Sequence, residues 1–155
     1  MAATTEPDAR FGPDWTSAAV AGLLSAMIVG IVVWLGFDSS IITEDIPSPF
    51  GLNGAGAGWV ILLAIGIIAG LLYGALNSIE ALDRWASTSR TGAILGLAYG
   101  IVLWVVAIVL VPLSVGDGPD GIGEYALSVD GFLGYALFGV LIGFLYLLVP
   151  VIRSS

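Results

Sequence analysis

The sequence predicts an all-α integral membrane protein of four transmembrane helices, arranged as two parallel helical-hairpin repeats. Three observations carry this prediction. Of 155 residues, 58% are hydrophobic and 10% are charged, whereas a soluble domain carries about 25% charged residues. Four segments, 15–37, 56–78, 92–115 and 131–152, contain no formal charge, and each is long enough for the ~20 helical residues that a hydrocarbon core demands. Finally, the first segment resembles the third and the second resembles the fourth.

The elements follow in order. Residues 1–14 form a tail holding Glu6, Asp8, Arg10 and Asp14. It is not the basic leader of a signal peptide, and no small-residue cleavage site follows the first span, so that span reads as a retained helix. The connection to the second span carries Pro47, Pro49, Gly51, Gly54 and Gly56, residues that turn a chain. Its apolar members, Ile41, Ile42, Ile46 and Phe50, are expected on the membrane surface. After the second span, Glu80 and Arg84 stand four apart, a spacing that supports a helical extension. Arg84 and Trp85 in this loop read as a headgroup anchor, with contact to a cytoplasmic partner as the alternative. The connection after the third span contains Asp117, Asp120 and Glu124 among glycines; it lacks the ligand spacing of an EF-hand and reads as a solvated acidic loop. The fourth span leads to a short tail, 153–155.

Charge sets the expected direction. The two tails and the loop between the second and third spans hold all four arginines and five acids, while the other two loops hold seven acids and no basic residue. The positive-inside rule therefore puts both termini in the cytoplasm of a multi-pass cell-membrane protein. Net charge divides as −1 inside and −7 outside, together the chain's −8. An acidic chain of this kind is no partner for nucleic acid, whose phosphates need clustered Lys and Arg. Twelve acids with no lysine also match the composition of proteins from very salty cytoplasms.

An offset of 70 lays Gly22 on Gly92, Ala26 on Gly96, Gly30 on Gly100 and Trp34 on Trp104. Similarly, an offset of 73 lays Gly66 on Gly139, Gly70 on Gly143 and Tyr73 on Tyr146. Gly66, Gly70 and Gly74, like Gly92, Gly96 and Gly100, recur every fourth residue, which on an α-helix returns to nearly the same face. Such faces admit a neighbouring backbone closely, so these ten glycines are the expected helix contacts. They serve either as seams within the chain or as contacts to a second copy or a larger membrane complex; the internal reading is preferred.

Residue types narrow the chemistry. Cysteine and histidine are absent, and the basic residues are all arginine, which removes thiol nucleophiles, Cys/His metal sites and Schiff-base lysines. No span holds an ionisable Asp, Glu or Arg, the usual working part of a proton relay or cation pathway. Ser25 is expected to return its hydroxyl to a carbonyl one turn earlier or to a neighbouring helix. Tyr73 and Tyr146 read as paired packing residues, Trp34 and Trp104 as interfacial anchors, and Asn77 and Ser78 as polar residues ending a helix. No cofactor or metal is implied, and the chain is not expected to be an enzyme.

The strings Ile46-Pro47, Phe50-Gly51-Leu52, Gly58-Trp59, Gly70-Leu71-Leu72-Tyr73-Gly74, the run from Gly96 to Trp104, and Val111-Pro112 resemble a family of small four-span membrane proteins abundant in haloarchaea. The resemblance implies the four-span fold and supplies no mechanism. Some relatives are labelled histidine kinase, which does not fit a chain without histidine. The expected role is a structural or accessory component working through helix association among membrane lipids. The alternative is a channel or carrier for a small neutral or hydrophobic solute, lined by Ser25, the tyrosines and glycine carbonyls.

Overall fold

The structure is a computed structural model that describes residues 14–79, 82, 88–115 and 127–154. Its helices are α1 (Trp15–Gly36), α2 (Ala55–Asn77), α3 (Ser89–Val115) and α4 (Val129–Ser154), with a π-helical turn at Ile41–Asp45 and a 3-10 turn at Ser48–Phe50. All four helices are long and apolar enough to cross a membrane, making this a polytopic membrane protein. Arg84, Trp85, Glu80 and the acidic segment 117–124 lie outside the described residues.

Polar caps set where helices begin. Asp14 accepts the Ser17 N–H at 3.1 Å and the Ser17 hydroxyl, and Ser128 accepts the Gly131 N–H at 3.0 Å. Thr88 and Thr91 pair through their hydroxyls at 2.7 Å, while Gly92 N–H bonds the Thr88 carbonyl. Caps of this type satisfy N–H groups that have no intrahelical partner. They start α3 and α4 ahead of the apolar runs at 92 and 131, because capping residues are polar and hydropathy alone leaves them in the loops.

The main seams run between α1 and α2 and between α3 and α4; the two pairs then join along α1 and α4. Glycine makes both main seams. A Cβ added to Gly22 would lie 2.8 Å from the Gly70 Cα and 2.9 Å from its nitrogen, besides striking the Gly66 carbonyl oxygen. One added to Gly96 would lie 2.9 Å from both the Cα and nitrogen of Gly143, besides striking the Gly139 carbonyl oxygen. Gly100 rests against Gly139, Gly92 against Leu147 and Gly143, and Gly30 beneath the Trp59 ring and Leu62. Gly74 is buried on the same helix as Gly66 and Gly70.

The seam contacts of the two hairpins run in parallel. Gly22 meets Gly66 and Gly70 as Gly96 meets Gly139 and Gly143, and Ala18 abuts Gly70 as Gly92 abuts Gly143. In its contacts Gly22 thus takes the place that Gly96 takes in the other hairpin, one helical turn from the sequence offset of 70. The position corresponding to Trp104 is Gly30, where the indole comes instead from Trp59 on the opposite helix.

Between 22% and 39% of the most apolar 18-residue stretch of each span is buried, and large apolar side chains such as Leu35, Val60 and Ile152 are exposed. That is the ordinary surface of helices solvated by lipid, where apolar side chains have no reason to hide.

Replacing Gly96 or Gly22 with leucine forces backbone apart and is expected to cost at least about 1–3 kcal/mol, the usual range for overpacking. Gly36→Leu, where nothing lies within 4 Å of an added Cβ, is expected to be neutral. Thermal unfolding in detergent, followed by helicity, checks this; equal midpoints for all three variants would contradict the seam.

Candidate functional site

The centre of the bundle is built from four buried residues on four helices: Ala21 on α1, Tyr73 on α2, Tyr99 on α3 and Ile142 on α4. Phe138, Leu145 and Tyr146 of α4 and Leu95 and Leu103 of α3 pack around them. The Tyr73 ring meets Tyr99 at 5.3 Å and Tyr146 at 5.6 Å, both edge-on, the arrangement that brings positive ring edges to negative faces.

The two central tyrosines tie α2 to α3 reciprocally. Tyr99 on α3 donates its hydroxyl to the Ala69 carbonyl of α2 at 2.7 Å, and Tyr73 on α2 donates to the Gly92 carbonyl of α3 at 3.4 Å. Few Cα atoms of α2 and α3 come within 8 Å of each other, whereas α1 and α4 run close. Under the contact correspondence, Tyr73 matches Tyr146 and Tyr99 matches Ser25. The tyrosine pair therefore spans a wide seam, while Ser25 at the matching place lets α1 approach α4. Ser25 itself is fully buried and donates to the Ala21 carbonyl of its own helix at 2.7 Å.

Asn77 ends α2, as its position in the sequence suggests, but it does so inside the protein. It is buried, with 5% of its surface exposed, and its side-chain nitrogen donates to the Tyr73 carbonyl at 3.0 Å, while its Oδ1 has no donor among the described residues. Flipping the amide would set two acceptors face to face, so the orientation is fixed by the carbonyl. Residues 66, 70, 73 and 77 form one stripe on α2. Tyr99 stands among the tyrosines of the spans, but no sequence spacing pairs it with Ala69, thirty residues earlier on α2.

At the far end of the bundle, where α1 gives way to the loop, Trp34 packs on Trp59 at 6.4 Å and Trp104 packs edge-on to Phe132 at 5.0 Å. Ile41 and Ile42 are not on the membrane surface. They are buried with Val33 and against Val29, Ile46, Trp59 and Leu62, because Gly58 lacks a side chain and admits the Ile42 carbonyl against α2. Phe50 is exposed. An open hollow of about 570 Å³ lies on this loop, lined by Thr43, Glu44, Ser48, Asn53 and neighbouring residues. Nearby, the Ser40 N–H, 2.9 Å from Asp38 Oδ1, holds the Asp38 carboxyl below the usual carboxylate range. The small stability that this bond adds is present at neutral pH and fades as pH falls through the lowered value.

Chemically, the central hydroxyls act as tethers to backbone carbonyls. Among the described residues, no three Asp, Glu, His or Cys side chains gather to hold a metal.

Tyr99→Phe is expected to cost about 0.5–1.5 kcal/mol, the worth of a buried hydrogen bond, and Tyr73→Phe less because its bond is long. Asn77→Leu is expected to leave stability unchanged or raised, since it removes an acceptor that has no donor. Thermal midpoints in one detergent test the ranking, and a loss for Asn77→Leu exceeding that for Tyr99→Phe would reverse it. The chain matches no protein-family model, no curated protein and no solved structure.

Proposed function

We propose that this chain is a structural or accessory component of the cell membrane, with both termini cytoplasmic, acting through association with a second copy or a larger membrane complex and not as an enzyme. The observation that carries this reading is the filled centre. Tyr73, Tyr99, Tyr146 and Ile142 occupy the space between the helices, where a solute pathway would have to run. Nine of the ten candidate glycines face another helix of the same chain across a seam, so association falls to the exposed apolar faces of the helices. The absence of ionisable residues within the spans and the likeness to the four-span haloarchaeal family belong to the same reading.

A second reading, a carrier for a small neutral solute, draws on Asn77. Its buried carboxamide oxygen without a donor is an acceptor for a solute hydroxyl at the end of the bundle where α1 begins.

Purification from native membrane in mild detergent, with light scattering and identification of co-purifying proteins, tests the first reading. An assembly larger than one chain is expected, and recovery of a lone monomer overturns it. Swelling of proteoliposomes in glycerol tests the second; permeation equal to that of empty liposomes is the expected outcome, and faster permeation would favour the carrier.

A further inference from the structure

The loop between α1 and α2 is more elaborate than a reversal requires. Helix–helix connections in bundles take about 2–8 residues, yet this one runs from 37 to 54 with a π-helical and a 3-10 turn of its own. Its last residue is tied to the π-helical turn by a bond from the Gly54 N–H to the Thr43 carbonyl at 2.7 Å.

Its side chains divide by burial. Ile41, Ile42 and Pro47 are buried, while the acidic Asp38 and Glu44 and the apolar Phe50 and Leu52 are exposed, the last two with 61% and 51% of their surfaces, and Leu52 borders the hollow that Glu44 also lines. The loop also lies low. The Ile42 carbonyl sits against Gly58 in the first turn of α2, at the level of the Trp34–Trp59 pair. Tryptophan at such a level marks the boundary between hydrocarbon and headgroups. Leu35, Phe37 and Val60, all exposed, continue the lipid-facing surface up to the loop.

The backbone of the turn is prepared for a medium poor in water. Phe50 and Leu52 donate their N–H groups to the Pro47 carbonyl at 3.0 and 3.2 Å, and Gly51 donates to the Ser48 carbonyl at 2.9 Å. Pro47 and Pro49 have no N–H to satisfy. Gly51, at φ 68°, closes the turn in the left-handed region that glycine adopts without strain. Segments that enter a bilayer must bond their own polar groups in this way.

We propose that segment 47–52 is a lipid-surface anchor, with Phe50 and Leu52 inserted into the interfacial layer of the leaflet that the loop faces and the acids of 38–45 held in water. The bilayer already covers the adjoining faces of α1 and α2, and the anchor extends that contact onto the loop. It is independent of what the bundle associates with.

The chain has no cysteine, so Phe50→Cys, Leu52→Cys and Glu44→Cys each offer one labelling position. Each variant is labelled with an environment-sensitive fluorophore in nanodiscs containing a fraction of lipid with a nitroxide near the headgroup. Wild-type helicity and elution confirm the fold. The probes at 50 and 52 are expected to emit to the blue of the probe at 44, to be quenched at least twofold more by the nitroxide lipid, and to resist aqueous iodide. Emission and iodide quenching at 50 and 52 equal to those at 44 would overturn the anchor. Blue emission without nitroxide quenching would overturn it too, because a protein surface would then be the cover.

Discussion

Everything in this bundle rests on backbone meeting backbone at glycine. In lipid, apolar side chains gain little by leaving one surface for another, so helices are held by density of contact and by polar groups with nowhere else to bond. Gly22 against Gly66 and Gly70, and Gly96 against Gly139 and Gly143, bring whole turns within dispersion range, where many weak atom pairs add up. Close seams leave little interior to fill. Tyr73, Tyr99 and Ile142, with Ala21, suffice to occupy it.

The glycine seams fix the two hairpins, and one pair of positions decides how the hairpins meet. At the α2–α3 side, Tyr99 reaches across to the Ala69 carbonyl and its ring holds the helices apart. At the corresponding position on the α1–α4 side stands Ser25, which turns its hydroxyl back onto Ala21 and leaves room for α4. A large aromatic and a small hydroxyl residue thus convert two similar joints into one propped and one closed. The propped joint needs its reciprocal hydrogen bonds because few backbone contacts support it, whereas the closed joint stands on packing.

The four helices were legible because length and hydropathy are properties of a single segment, readable without knowing any partner. The glycine faces were legible for the same reason, since a repeat of four residues lies on one side of a helix whatever it touches. Register was not. Trp34 and Trp104 align well in sequence, but an indole is free to come from either helix of a seam, and Trp59 fills over Gly30 the place that Trp104 fills from the other side. Ile41 and Ile42 were misplaced because an apolar loop residue is equally suited to lipid and to protein. What decides is the missing side chain at Gly58, sixteen residues further along the chain from Ile42. Asn77 was legible as a helix end, but its burial was not, because that depends on the packing around α2 and not on the segment itself.

The two ends of the bundle are closed by different physics, and this governs what each tolerates. Where α1 ends, the closure is apolar: Ile41 and Ile42 are set between Val33 and Trp59, with a backbone carbonyl laid against Gly58. Any side chain added at Gly58 meets that carbonyl, and any polar group placed at Ile42 loses its water without gaining a partner. Where α1 begins, the closure is polar: Asp14 caps the helix through Ser17, Tyr73 reaches the Gly92 carbonyl, and Asn77 is bonded on one side only. A donor brought to the open side of Asn77 completes a bond instead of burying a bare group. The end where α1 begins is therefore held by polar bonds, and at the other end the seat of Ile42 against Gly58 accepts only close apolar fit.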